Sequence, residues 1–197
     1  ELAGLQHARQ HVRLDACQTA DRGVHDDRIR AVSGQQRHGG IDARGDAHRA
    51  GAETMMCDPT DRASVDKVFA GRDAGEFAVV CLLGGSPQMN TQGNINVIDA
   101  AMVAGVTRLV LTTSIGCGDS SAVLDPLVKA VAGRAIRAKE WAENHLRSTN
   151  LDWTIVRAGG TTRRPGTGAA MLTDSTQVTG YISLTDLGEM VFRALVS

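Results

Sequence analysis

Arg108-Leu-Val-Leu-Thr-Thr-Ser114 carries no charge after its first residue, and Ile115-Gly-Cys-Gly-Asp119 ends it. A run without polar alternation suits a strand covered on both faces, as strands of a parallel sheet are. Phe77-Ala-Val-Val-Cys-Leu-Leu83 has the same character and stops at Gly84-Gly85-Ser86-Pro87. Trp153-Thr-Ile-Val-Arg157 supplies a third such run, closed by Ala158-Gly159-Gly160. Helical patterns separate them. One spans about Thr91 to Ala104, with Ile95, Ile98 and Met102 on one side and Gly105 as its stop. The next spans about Arg134 to Ser148.

The same alternation extends outward. Glu53-Thr-Met-Met-Cys57 is a short apolar run halted by Asp58-Pro59, and Asp61 caps a helix expected to reach Ala70. At the other end, Gly180-Tyr-Ile-Ser183 reads as a strand. Ser183-Leu-Thr-Asp186 resembles a capping box opening a helix through Ala194. Strand–helix repeats of this kind imply right-handed βαβ units and an α/β, doubly wound parallel sheet. Ligands of such sheets bind outside the carboxyl ends of the strands. Four ends carry suggestive residues: Asp58, Gly84-Gly85, Thr113-Ser114 and Ala158-Gly159-Gly160. Glycine merely ends strands often enough that one such end means nothing; four together favour a shared ligand edge.

Several separate motifs, in order, resemble the atypical short-chain dehydrogenase/reductases. They are Gly93-Asn-Ile-Asn-Val-Ile-Asp-Ala-Ala101, the Arg108–Ser114 run, and Asn150-Leu-Asp-Trp-Thr-Ile-Val-Arg-Ala-Gly-Gly160. Thr167-Gly168 and Ile182-Ser183-x-x-Asp186-Leu187 are similar to the NmrA-like and biliverdin reductase B/flavin reductase groups. The resemblance covers about residues 50–197. It implies a Rossmann-like fold, NADP or NAD as cofactor, and oxidoreduction of a small acceptor such as a flavin or quinone. Residue by residue, it implies that Asp58 contacts the adenine, and that Leu83, Gly84 and Gly85 lie beside the adenosine ribose. Thr113 and Ser114 then end the central strand near the nicotinamide, Lys139 occupies the position of the superfamily lysine, and Ala158, Gly159 and Gly160 close over the nicotinamide. Ser114 and Lys139 are the implied catalytic pair. The alternative for Ser114 is a strand-end hydroxyl bonded to backbone. For Lys139 it is a solvated helix lysine paired with Glu143 at i+4.

Three departures qualify what the resemblance implies. Ala135 stands four residues before Lys139, where classical members carry an acid/base tyrosine, and Ala158 replaces the proline of the V-R-P-G loop. The missing tyrosine argues against classical alcohol dehydrogenation and keeps a second reading open, a non-catalytic dinucleotide sensor. The larger departure is at the front. Residues 1–50 hold no G-x-G-x-x-G and no apolar strand before one, so the first strand and Gly-rich pyrophosphate turn are missing. This segment carries five of six histidines, eight of eighteen arginines, no lysine, no aromatic residue and only eight of Val, Ile, Leu and Met. All six aromatic residues follow position 68. The expected division is an anomalous segment over 1–50 and a dinucleotide-binding domain over 51–197. The composition of the first part is that of a GC-rich gene read out of frame, with the family frame regained around residues 48–52. A chain so altered also admits a third reading, a product impaired in cofactor binding.

The whole chain, 197 residues with a formal net charge of -1, has no bulk attraction for nucleic acid or anionic membrane. No apolar run reaches the ~18 residues of a membrane span, and no secretory signal is expected. Cys17, Cys57, Cys81 and Cys117 make no zinc spacing and no disulfide framework; they read as small hydrophobes in a reducing, cytoplasmic compartment. His7 and His11 share an i, i+4 spacing but lack a third ligand, so no metal is expected. Neither the oligomeric state nor the choice between NAD and NADP follows from these residues. Retranslating the coding DNA in its other forward frames should reveal a strand followed by a glycine-rich turn; if no frame encodes one, the frameshift reading fails.

Overall fold

A computed structural model describes the backbone of residues 11–16, 30–33, 53–71 and 77–197, with side chains from residue 55 onward. Gly39-Gly40, Cys17 and His7 lie outside the described residues. The strands are β1 (His11–Ala16), β2 (Arg30–Ser33), β3 (Glu53–Met56), β4 (Val79–Cys81), β5 (Arg108–Ser114), β6 (Asp152–Ala158), β7 (Gly160–Thr162), β8 (Met171–Thr173) and β9 (Tyr181–Ser183). The α-helices are α1 (Arg62–Phe69), α2 (Asn94–Val103), α3 (Pro126–Arg147) and α4 (Leu184–Val196).

The runs read as doubly covered strands form the centre. β4, β5 and β6 are parallel neighbours, with Val80 beside Val110 and Val110 beside Thr154. Alternate residues feed two cores. Leu109, Leu111, Trp153 and Ile155 point to one face, where Ile98 and Ala101 of α2 and Ala142 and Leu146 of α3 cover them. Val110, Val156 and Ala158 point to the other, under Leu187, Met190, Val191 and Ala194 of α4. Helices on both faces of parallel strands make the doubly wound, Rossmann-like architecture expected.

The front differs from a simple parallel continuation. β1 extends the sheet beyond β6, antiparallel to it and parallel to β8, in the order β4-β5-β6-β1-β8. An antiparallel strand completes the hydrogen-bond ladder of an exposed edge as fully as a parallel one. β2 and β3 form a separate parallel pair. In the doubly wound order one strand separates such a pair from β4. Among the described residues no strand fills that place, and β1 lies on the far side of the sheet.

Helix ends follow local chemistry. Asp61 caps α1 by accepting from the Ala63 amide (3.1 Å), as its position suggested. α3 begins at Pro126 rather than near Arg134, because Asp125 accepts from the Leu127 amide (2.7 Å) and Pro126 occupies the first turn, where its missing N–H costs nothing. The helix expected from Thr91 opens instead as a widened turn over Met89–Gly93, and α2 proper starts at Asn94. The Asn94 side chain donates to the Asn90 carbonyl (2.8 Å), inserting a side-chain bond into the first turn.

The Ser183 box forms and does more than cap. Ser183 Oγ accepts from the Asp186 amide and donates to Asp186 Oδ2, both at 2.9 Å. Asp186 also accepts from the amides of Thr167 and Gly168, at 2.9 Å each, so one buried carboxylate ties α4 to the loop after β7. The Thr167 amide and these other donors hold its carboxyl below the usual range. A depressed folded pKa contributes stability above the unfolded value, near ~4, that is lost as pH falls through the folded one. Asp186→Asn should therefore flatten the acid limb. In chemical denaturation between pH 2 and 5, the parent midpoint should fall more steeply than the variant's. Parallel curves would show that this carboxylate contributes nothing.

Candidate functional site

The carboxyl ends of β3, β4, β5 and β6 bring the sequence-predicted residues to one edge in two groups. The first surrounds Gly84. Leu83, Gly84 and Gly85 follow β4, and Gly85 takes a φ of 137°, a backbone that glycine alone adopts freely. A Cβ on Gly84 would lie 3.8 Å from Lys139 Nζ and 4.0 Å from Asn90 Oδ1. Lys139 of α3 and Asn90 therefore both face the bare backbone of Gly84. The Asp58-Pro59 turn joins this group through α2: Asn96 Nδ2 donates to the Pro59 carbonyl (2.8 Å), and Gly93 leaves room for both Pro59 and Leu83. Asp58 itself is exposed. Its carboxylate accepts from the Thr60 hydroxyl and amide (2.8 and 2.9 Å), which holds its pKa below the usual range.

Asn90 is a residue that sequence reading missed. It is 1% exposed and donates from Nδ2 toward the carbonyls of Gly85 and Ala135, while its Oδ1 has no partner among the described residues. A buried acceptor without a donor costs roughly 1–3 kcal/mol. Its only sequence signal was a third asparagine beside Asn94 and Asn96 in a helix start.

The second group lies at the ends of β5 and β6. Ser114 stands opposite Ala158 in register, and the Ile115 amide donates to the Ala158 carbonyl (2.8 Å). The Ser114 hydroxyl is partly buried and donates to the Ile115 carbonyl (3.1 Å). Ala158 is buried. Gly159 and Gly160 are needed for packing within the chain: a Cβ on Gly159 would lie 2.3 Å from the Gly180 carbonyl, and one on Gly160 would enter the Tyr181 ring.

Thr113 faces inward, to a second cluster that the sequence did not announce. Its hydroxyl donates to Glu143 Oε1 (2.5 Å). Arg157 Nε donates to the same oxygen (2.9 Å), and Arg157 Nη2 donates to Glu143 Oε2 (2.5 Å). Arg157 Nη1 reaches Asp119 (2.7 Å). Arg157 and Glu143 are 2% and 1% exposed, so this two-pronged pair is fully desolvated. Both lie within the quoted motifs or one turn from Lys139, but only packing turns them toward each other.

Lys139 consequently lacks the Glu143 salt bridge that its spacing suggested. Burial pushes its pKa below the usual lysine range, with the Glu143 charge acting more weakly in the opposite direction. Cys57, Cys81 and Cys117 are buried free thiols; burial raises Cys81 to about 11 and Cys117 to about 12, so they are packing groups rather than nucleophiles. Among the described residues no His/Cys/Asp/Glu cluster could hold a metal, and no helix is long and apolar enough to cross a membrane.

The Gly84 group fits the ribose side of a dinucleotide. It presents a bare backbone for close approach, an ammonium, and a buried acceptor that a hydroxyl could satisfy. Comparison with known proteins identifies the family. A family model described as NAD(P)H-binding matches residues 41–197. The anaerobilin reductase ChuY from Escherichia coli O157:H7 has a similar structure, with a TM-score of 0.70 and 30% identity, covering 83% of this chain and 77% of that one. An uncharacterised chloroplastic protein of Arabidopsis thaliana is 30% identical over 60% of this chain, and an uncharacterised sugar epimerase of Bacillus subtilis is 26% identical over 54%. The chain spans 47% of the length of each of these last two relatives. With the matched residues running from before β3 to the end of α4, this chain belongs to the NAD(P)H-binding family, and its cofactor is a nicotinamide dinucleotide.

Proposed function

We propose that this protein is an NAD(P)H-dependent reductase of a small conjugated acceptor, a flavin, quinone or similar molecule. The observation that carries the reading is Lys139: a partly buried ammonium without a salt-bridge partner among the described residues, set against the bare Gly84 backbone. Similarity to a reductase over most of its length supports reduction as the reaction.

The division of labour follows from the residues. When bound, the reduced nicotinamide supplies the hydride. Lys139 Nζ donates to ribose hydroxyls and offsets negative charge that develops nearby. Asn90 Oδ1 accepts from a hydroxyl on the same side. Ser114 turns its hydroxyl from the Ile115 carbonyl to the acceptor oxygen, a weak acid that orients more than it protonates. With Ala135 in the tyrosine position, the acceptor is one that spreads the incoming charge over its own conjugated system. Glu143, bonded by Arg157 and Thr113, takes no proton from the reaction. The buried free thiols support a reducing, cytoplasmic compartment.

The purified chain should bind NADPH or NADH and oxidise it with some member of a flavin and quinone panel. Lys139→Ala should lower kcat/KM by roughly tenfold to a hundredfold, the range of one positioned charge or donor. Absence of any dinucleotide binding would remove this reading, and binding without turnover across the panel would favour the sensor. We further propose residues 1 to about 48 as the out-of-frame segment; a frame-corrected chain should then bind NADPH more tightly than this one, by isothermal titration.

Gly159→Ala tests the second group. Its Cβ would press on the Gly180 carbonyl, so the loop from Ala158 must move. The expected result is a thermal midpoint lowered by several degrees together with a higher KM for the acceptor. An unchanged KM would exclude this loop from the site.

A further inference from the structure

We propose that Arg157 is a positioning residue: by occupying both carboxylate oxygens of Glu143, it leaves Lys139 directed at the Gly84 edge. The inference rests on the functional reading of Lys139 and extends it to two buried residues behind it.

Lys139 and Glu143 stand one helical turn apart on α3, the spacing at which a lysine and a glutamate ordinarily pair. Here they do not. Oε1 of Glu143 accepts from Thr113 Oγ1 and Arg157 Nε, while Oε2 accepts from Arg157 Nη2. Arg147 also approaches Oε2, at 3.8 Å, but its guanidinium lies over the Trp153 ring, 5.1 Å from the centroid. The carboxylate therefore takes three hydrogen bonds from β5 and β6, and none from the ammonium on its own helix. Arg157 is held in turn by Asp119 at its remaining terminal nitrogen. Gly118, with φ 53°, lets that segment close to 3.1 Å of Arg157 Nη2, measured from the position a Cβ would take.

The charged and titratable groups around Lys139 are Glu143 on its own helix, Cys81 on β4 and Cys117 after β5. Both thiols stay protonated at neutral pH, so among the described residues Glu143 is the anion close enough to draw the ammonium away. Removing Arg157 leaves a buried carboxylate needing a cation, and Lys139 is one turn away. Removing both members of the pair leaves nothing to capture it. These two changes must therefore act in opposite directions on the same lysine, which a purely structural role for Arg157 would not produce.

The chain has three lysines, Lys67, Lys129 and Lys139, so protein labelled with 13C at lysine Cε gives three titrating signals. In the full chain, the Lys139 signal should titrate below the usual lysine range. In Arg157→Met it should rise by about a unit or more, because a neighbouring free carboxylate favours the charged amine. In the double variant Glu143→Leu/Arg157→Met it should return to the parent midpoint or below. NADPH affinity should fall about tenfold in the single variant and recover in the double. A folded Arg157→Met whose Lys139 midpoint stays at the parent value overturns the proposal. Should the single variant fail to fold, a raised Lys139 midpoint in the double does so. The functional reading fails separately, if Lys139→Ala binds NADPH and turns over like the parent.

Discussion

The buried pair between Arg157 and Glu143 is the constraint to which the candidate site is anchored. It joins β6 to α3, takes in β5 through Thr113, and reaches the segment after β5 through Asp119. Each anchor lies next to a residue of the ligand edge: Thr113 precedes Ser114, Arg157 precedes Ala158, and Glu143 is one turn from Lys139. Two desolvated charges in such a place are costly unless every lone pair and proton is used. Here nearly all are used, and that saturation aligns three strand and helix ends at once.

Around this ionic centre the sheet is held by ordinary burial. Leu109, Leu111 and Ile155 on one face and Val110 and Val156 on the other are fully buried, in layers that α2, α3 and α4 complete. A sheet covered on both faces has its backbone polar groups satisfied by neighbouring strands, so the open strand ends are where a ligand can approach. The Asp186 carboxylate ties the loop after β7 to α4 by accepting the backbone amides of Thr167 and Gly168, whereas Glu143 is held by side chains.

Most of this architecture was legible in the residues. Unbroken apolar runs located β4, β5 and β6, and Ser183-x-x-Asp186 located the start of α4, because both signals are local. Boundaries set by competing local bonds were less so. Asp125-Pro126 announced the start of α3 plainly enough, yet the weak apolar pattern before Arg134 hid it. The widened turn at Met89–Gly93 depends on Asn94 reaching back to Asn90, which no periodicity shows. In the site, Gly84 and Lys139 were visible as types at family positions, whereas Asn90, Glu143 and Arg157 were not. Their importance comes from which groups they meet after folding.

By itself, the amino-acid sequence determined the class of fold, the kind of cofactor and the family to which the chain belongs. The fold class follows from hydrophobic patterning and strand-end residues, and the family and cofactor from the motifs that resemble its members, all of them local along the chain. Only the tertiary structure decided how the charges pair. An i, i+4 lysine and glutamate would bond in an isolated helix, but Arg157 lies fourteen residues away and arrives with a better-matched fork in a dry interior. Its arrival leaves Lys139 facing Gly84, because a carboxylate already bonded from two strands draws the lysine on its own helix less strongly.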